Sequence, residues 1–312
     1  MWTVEGLHGA ALVTVDGSVA VDVAGGPATS ETRFPIASLG KQFAAVAALL
    51  LAERGTLKLD QPVSHWLPGS PARWREITLH HLLTHTSGMS HWQDVPGFGV
   101  AETIAIEQRV PLLTHAEPLS RPGVRWCYSS PGYLLVAHIV ERAAGQEYGS
   151  FLAEHLFAPA GLGSTTTGRP DGAGSARGHR AGEPLPDAVL PPLPGTSDVW
   201  STVGDLARWT GALHTGAVLG WESHMVLTGP LAPTGEEPAP GRSFAGAYYG
   251  YGLYIGTVGG HRAYFHPGDI PGFVTFGAWL PDRRAGIVVL ADDETADVHT
   301  LVRQLLSAAG LS

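Results

Sequence analysis

Phe34-Pro35-Ile36-Ala37-Ser38-Leu39-Gly40-Lys41 runs without a break into Gln42-Phe43-Ala44-Ala45-Val46-Ala47-Ala48-Leu49-Leu50-Leu51-Ala52-Glu53-Arg54, and Gly55 stands where a helix C-cap belongs. The apolar residues from Phe43 to Ala52 bury this helix, and positions i and i+3 share a helical face, so Lys41 lies beside Ser38. Burial of the ammonium lowers its pKa. Only two of the nineteen Lys and Arg residues are lysines. In a chain that otherwise uses arginine, a retained lysine points to a task requiring loss of a proton, which a guanidinium cannot perform. A serine paired with a basic amine is an activated nucleophile. Unpaired N–H groups and the positive dipole end near Ser38 would also favour an anionic oxygen. Taken alone, the same residues also suit an N-capping serine followed by a solvated first-turn lysine.

Outward from this segment, residues 8–15 and 18–24 read as strands joined at Asp16-Gly17, a strong hairpin signal. From about residue 56 to 220 the pattern becomes helical segments (78–83, 132–144, 148–156 and 203–213) separated by Pro/Gly-rich loops. Long loops are expected over 165–197 and 228–246. Strands return at 251–257, 261–266, 273–280 and 286–291, and a last helix covers 295–309. The expected fold class is α/β (α+β): an antiparallel sheet formed by both chain ends and flanked by helices, with an inserted, mainly α-helical region. The corresponding division is 1–55 with 247–312 as the sheet domain and 56–246 as the insert, with the active site at their interface.

At 312 residues and 44% hydrophobic, the chain can bury a large core. A formal charge of −9 and the absence of any Lys/Arg run argue against nucleic acid or an anionic membrane as partner. The longest apolar run is about half of what a bilayer requires. The sequence as written begins Met1-Trp2-Thr3-Val4 without a basic n-region or apolar h-region, so a cytoplasmic location is expected unless an export signal has been removed. Cys127 is the single cysteine and reads as a packing residue.

Three further segments bear on the chemistry. Arg121-Pro122-Gly123-Val124-Arg125-Trp126-Cys127-Tyr128-Ser129-Ser130-Pro131-Gly132-Tyr133 places a tyrosine on a loop entering a helix. Phe265-His266-Pro267-Gly268-Asp269-Ile270-Pro271-Gly272-Phe273 joins two strands. Ile77-Thr78-Leu79-His80-His81-Leu82-Leu83-Thr84-His85-Thr86-Ser87-Gly88-Met89 lies between the Ser38 helix and the tyrosine segment. With the S-x-x-K pair, these resemble the serine β-lactamase and penicillin-binding protein superfamily, in its class C-like branch of carboxylesterases, D-alanyl-D-alanine carboxypeptidases, D-aminopeptidases and acyltransferases. The resemblance covers most of the chain, with the motifs in the family's order.

The resemblance implies Ser38 as acylated nucleophile, Lys41 as an aid to its deprotonation and Tyr128 as proton relay. His266-Pro267-Gly268 is similar to the family's third motif, with Gly268 allowing substrate close to the backbone. The N–H of Asp269 is expected to join that of Ser38 as oxyanion hole. His266 carries less dependable charge than the lysine often found there, and Asp269 is negative, so esters and neutral amides are favoured over carboxylates. Ser130 occupies a position where the family more often has Asn, and its hydroxyl offers fewer contacts. This lowers the expectation of β-lactam or peptidoglycan substrates. Trp92, Phe98, Trp126 and Trp200 are candidates for lining the substrate pocket.

No cofactor or metal is expected. His81 and His85 stand i, i+4, but Leu82 occupies the place of the H-E-x-x-H glutamate, and helix-end hydrogen bonding is the default. The resulting expectation is a serine hydrolase working through an acyl-enzyme on Ser38, chiefly an esterase on a small-molecule ester or amide. The alternatives are an acyltransferase using the same intermediate, a β-lactamase or D,D-peptidase, and a non-catalytic scaffold of the same fold.

Overall fold

The computed structural model describes residues 4–98, 106–171, 173–186 and 193–312. The chain opens with a hairpin of β1 (Gly9–Val15) and β2 (Ser18–Gly25). Asp16 and Gly17 both take positive φ, 50° and 77°, as a two-residue type I′ turn requires. After the short β3 (Phe34–Pro35), a 3-10 turn over Ala37–Gly40 carries Ser38, and α1 (Lys41–Glu53) begins at Lys41. Four helices follow among the described residues: α2 (Leu79–Leu83), α3 (Ile106–Leu113), α4 (Ser130–Ala144) and α5 (Tyr148–Leu152). Short strands β4 (Thr166–Thr167), β5 (His179–Arg180), β6 (Glu183–Pro184) and β7 (Val199–Ser201) lead to α6 (Val203–His214), α7 (Trp221–Leu227) and β8 (Ala232–Pro233). The last part comprises β9 (Phe244–Tyr249), β10 (Tyr254–Val258), β11 (His261–Ile270), β12 (Phe273–Leu280), β13 (Ala285–Ala291) and α8 (Val298–Ala308).

Eight strands form one antiparallel sheet in the order β2-β1-β13-β12-β11-β10-β9-β8. The two chain ends therefore meet inside it, with Gly9 opposite Ala291 and Val15 opposite Ala285. Every residue of β13 is buried, because helices cover both faces. Alternate residues serve alternate cores, as the two-residue period of a strand dictates. Ala10, Leu12, Val288 and Leu290 join the α6 and helical side, whereas Ala11, Val13, Ile287 and Val289 pack under α8. On α8, Leu301, Val302, Leu305 and Leu306 are buried, each contributing roughly 2 kcal/mol of apolar burial.

The expected fold class is observed, but several elements fall differently. Residues 228–246, read as loop, include β8 and the start of β9; Ala232, Pro233 and the glycine-interrupted Phe-Ala-Gly-Ala show no apolar alternation to betray a strand. The 165–197 stretch contains β4, β5 and β6, while residues 172 and 187–192 of it lie outside the described residues. The 56–246 division also separates neighbours, because α6 packs on β13 and β1 while α1, from the other side of that boundary, packs on α4. Pattern alone cannot reveal which partner an apolar helix face meets.

Candidate active site

Ser38 sits on the 3-10 turn, which is entered through a left-handed residue: Ala37 has φ of 50°. A non-glycine residue in that region is uncommon and stores strain, which here falls next to the Ser38 hydroxyl. Lys41 Nζ lies 2.9 Å from Ser38 Oγ, and the Tyr128 hydroxyl donates to the same oxygen at 3.0 Å. The ammonium stands 5.0 Å from the Tyr128 ring centre. Lys41 is fully buried, at 0% exposure. Burial lowers its pKa to about 7, against the opposing pull of Asp269 and Asp198. Burial also raises the Tyr128 phenol above its ordinary value, while its hydrogen bonding with the Ser38 and Ser130 side chains acts the other way. At neutral pH the amine thus gives up its proton far more readily than the phenol does.

Tyr128 is held in place by a residue whose purpose the sequence did not reveal. His85, at 0% exposure, accepts the Ser129 N–H on Nδ1 at 3.1 Å, and its carbonyl accepts the Cys127 N–H at 2.8 Å. Its ring lies 4.4 Å from that of Tyr128. Burial, then the Lys41 charge, drives its pKa well down; the neutral ring with Nδ1 as acceptor carries its proton on Nε2. Ser129 caps α4 by accepting from Gly132 N and donates to Ser90 O. His81 instead closes a capping box with Thr78 at the start of α2, and His80 meets the Tyr251 hydroxyl. The i, i+4 histidines are therefore committed to different structural tasks.

Opposite Ser38, β11 supplies an open strand edge. The β11–β12 hairpin closes on Ile270 and Phe273, with Asp269 facing Val274. Across a two-residue turn the closing pair exchanges both backbone bonds, and alternation then directs the Asp269 N–H away from β12. On that side β10 stops at Tyr254, opposite Phe265. Pro267 shares the outward orientation and has no N–H to lose there. Gly268 lies against the Ser38 turn: a Cβ on it would come within 3.0 Å of Ser38 N and 2.4 Å of Thr275 Oγ1. Only glycine allows β11 this approach.

These groups border a cleft of about 750 Å³ whose lining includes Ser38, Tyr128, Ser130, Trp92, His266 and Asp269. His91, Tyr254 and Glu294 line it as well, and none of the three carries a sequence signal for the site. Trp126 and Trp200 fall outside the described lining. Trp126 lies behind Tyr128, near Tyr249 and Tyr254, and Trp200 is buried on β7 beneath Arg169. Phe98 stacks on Trp92 from outside. His266 bonds the Tyr249 hydroxyl through Nε2 and Pro267 O through Nδ1. Burial and the neighbouring Lys41 lower its pKa to about 3, so it lines the site as a neutral ring. Among the described lining residues, the formal charges at neutral pH are the carboxylates of Asp269 and Glu294, the latter paired with Arg180.

The family pattern described as Beta-lactamase matches residues 3–310. Penicillin-binding protein 4* of Bacillus subtilis (strain 168) is 29% identical over 86% of this chain and 62% of its own length. Esterase EstB of Burkholderia gladioli is 32% identical over 60% of this chain and 53% of its own. The chain thus spans a little over half the length of these two curated relatives. A penicillin binding protein from Bacillus halodurans, known from its crystal structure, superposes with a TM-score of 0.82 at 27% identity, covering 97% of this chain and 95% of that one.

Proposed function

This chain belongs to the beta-lactamase family of serine hydrolases, and from that premise we propose that it is an esterase that cleaves uncharged or cationic small-molecule esters, and related amides, through an acyl-enzyme on Ser38. The observation that carries the proposal is the convergence of Lys41 Nζ and Tyr128 OH on Ser38 Oγ at 2.9 and 3.0 Å. With its proton lost, Lys41 accepts the Ser38 proton as the hydroxyl attacks the acyl carbon. The Ser38 and Asp269 N–H groups receive the developing oxyanion, a contribution of several kcal/mol for two such donors. As the tetrahedral intermediate collapses, the Tyr128 hydroxyl gives its proton to the departing oxygen or nitrogen and regains one relayed from Lys41. Water then repeats the sequence on the acyl-enzyme. Ser130 and Trp92 contact the substrate, and neutral His266 shapes the wall beside it.

Charge supports the substrate class. A carboxylate entering this cleft would face Asp269 and Glu294, with no lysine or arginine among the described lining residues to receive it. Incubation with p-nitrophenyl butyrate or a fluorophosphonate, followed by intact-mass analysis and peptide mapping, is expected to give one adduct on Ser38. Neutral esters should turn over at least about tenfold faster than analogues bearing a carboxylate near the acyl carbon, a difference of about 1.4 kcal/mol. Folded protein that acquires no adduct at Ser38 refutes the covalent mechanism, and faster turnover of the anionic analogues refutes the substrate class.

The kcat/KM profile follows from the Lys41 pKa of about 7. The active form has the amine neutral, so activity rises as pH increases through about 7 and falls on the acid side as Lys41 gains its proton. A profile flat from pH 5 to 9 would assign the acid limb, and the base, to no group with this pKa.

A further inference from the structure

Away from the Ser38 hydroxyl, three chain segments bring His8, His179 and Asp292 together, with one potential ligand atom of each within 4.8 Å of the others. The fold makes this meeting unavoidable. His8 immediately precedes β1 and Asp292 immediately follows β13, and Gly9 is paired with Ala291. The His8 carbonyl accepts the Asp292 N–H at 2.9 Å, and the Asp292 carbonyl accepts the His179 N–H at 2.8 Å. All three backbones are therefore fixed relative to one another. His8 Nδ1 lies 2.5 Å from Asp292 Oδ1, His179 Nδ1 lies 2.9 Å from the Asp292 carbonyl, and the two imidazoles meet edge to face at 5.2 Å.

We infer that His8, His179 and Asp292 form a site for a divalent cation of the zinc class. Two imidazoles and one carboxylate are a ligand set that zinc takes in open tetrahedral sites, with the fourth position left to water. Asp292 is buried at 2% exposure, whereas the His8 side chain is 41% exposed, so solvent reaches the cluster from the His8 side. Bonds of about 2.0–2.2 Å put neighbouring tetrahedral ligands about 3.3–3.6 Å apart. Rotation of the half-exposed His8 ring opens its short contact with Asp292 to that spacing, and the imidazole binds through one ring nitrogen while keeping its N–H on the other. The adjacent acids are otherwise engaged: Asp293 accepts from Ala181 and Gly182 N–H groups, and Glu294 from Arg180 and Gly272 N. They add negative charge nearby without competing as ligands.

The ion would hold the segment carrying β5 against the sheet, two residues from Glu294 in the cleft wall. Its role is structural, and the hydrolytic steps do not pass through it. The test uses the full chain freed of metal by chelator and dialysis, then titrated with Zn(II), or with Co(II) for its visible absorption. One equivalent bound per chain, a tetrahedral Co(II) spectrum and a rise of several degrees in Tm are expected. H8Q and H179Q should each weaken binding at least about tenfold, while H81Q leaves it unchanged. H179Q, in a segment outside the main sheet, keeps the test valid should H8Q fail to fold. Absence of stoichiometric binding, or one equivalent retained by H179Q or by the H8Q/H179Q double variant, overturns the assignment. Ser38 acylation reads independently of all these outcomes.

Discussion

Lys41→Arg is expected to lower kcat/KM for a neutral ester by about 10³-fold, a loss of about 4 kcal/mol of transition-state stabilisation. The substitution keeps positive charge beside Ser38 and removes the ability to take a proton. If Lys41 served only to attract or orient through its charge, arginine would substitute in part. Lys41 has no exposed surface, so the larger guanidinium also strains the site, and a second variant separates the two effects. Lys41→Met keeps an unbranched apolar stem of similar length and avoids desolvating a charge. It should lose activity to a similar extent while melting at or above the temperature of the parent. Near-parental turnover by either folded variant would remove Lys41 from the role of base.

For Tyr128→Phe, a loss of about 10²-fold is expected, confined to substrates whose leaving group requires a proton. The ring remains against His85 and Trp126, and the hydroxyl that donates to Ser38 Oγ is removed. Alkyl esters and amides expel a strongly basic atom and depend on an acid, whereas p-nitrophenolate departs unaided. Steady-state rates on an alkyl ester and a p-nitrophenyl ester of the same acid distinguish the cases. Equal losses on both would place Tyr128 in the attack on the acyl carbon instead of in leaving-group departure.

Much of this site was legible because it is local. Ser38 and Lys41 are three residues apart, and a helical turn brings them together whatever surrounds them. The hairpin at Asp16-Gly17 and the strands at both chain ends were likewise readable, since turn chemistry and two-residue alternation act over short distances. Tyr128 was identified through its motif, but its orientation depends on His85, just beyond α2, which accepts the neighbouring Ser129 N–H across 44 residues of chain. Trp126 and Trp200 show the opposite case: an aromatic residue near a motif says nothing of which side its ring faces, and here both face protein.

Residue order alone determined the proximity of Ser38 and Lys41, the α+β class and the family. Tertiary structure decided how far Lys41 is desolvated, that His266 is neutral, that β11 offers a free edge at Asp269, and that His8, His179 and Asp292 meet. The reason is physical. Helical and strand periods are encoded by residues a few positions apart, whereas desolvation and the meeting of distant side chains arise only when the sheet closes and excludes water.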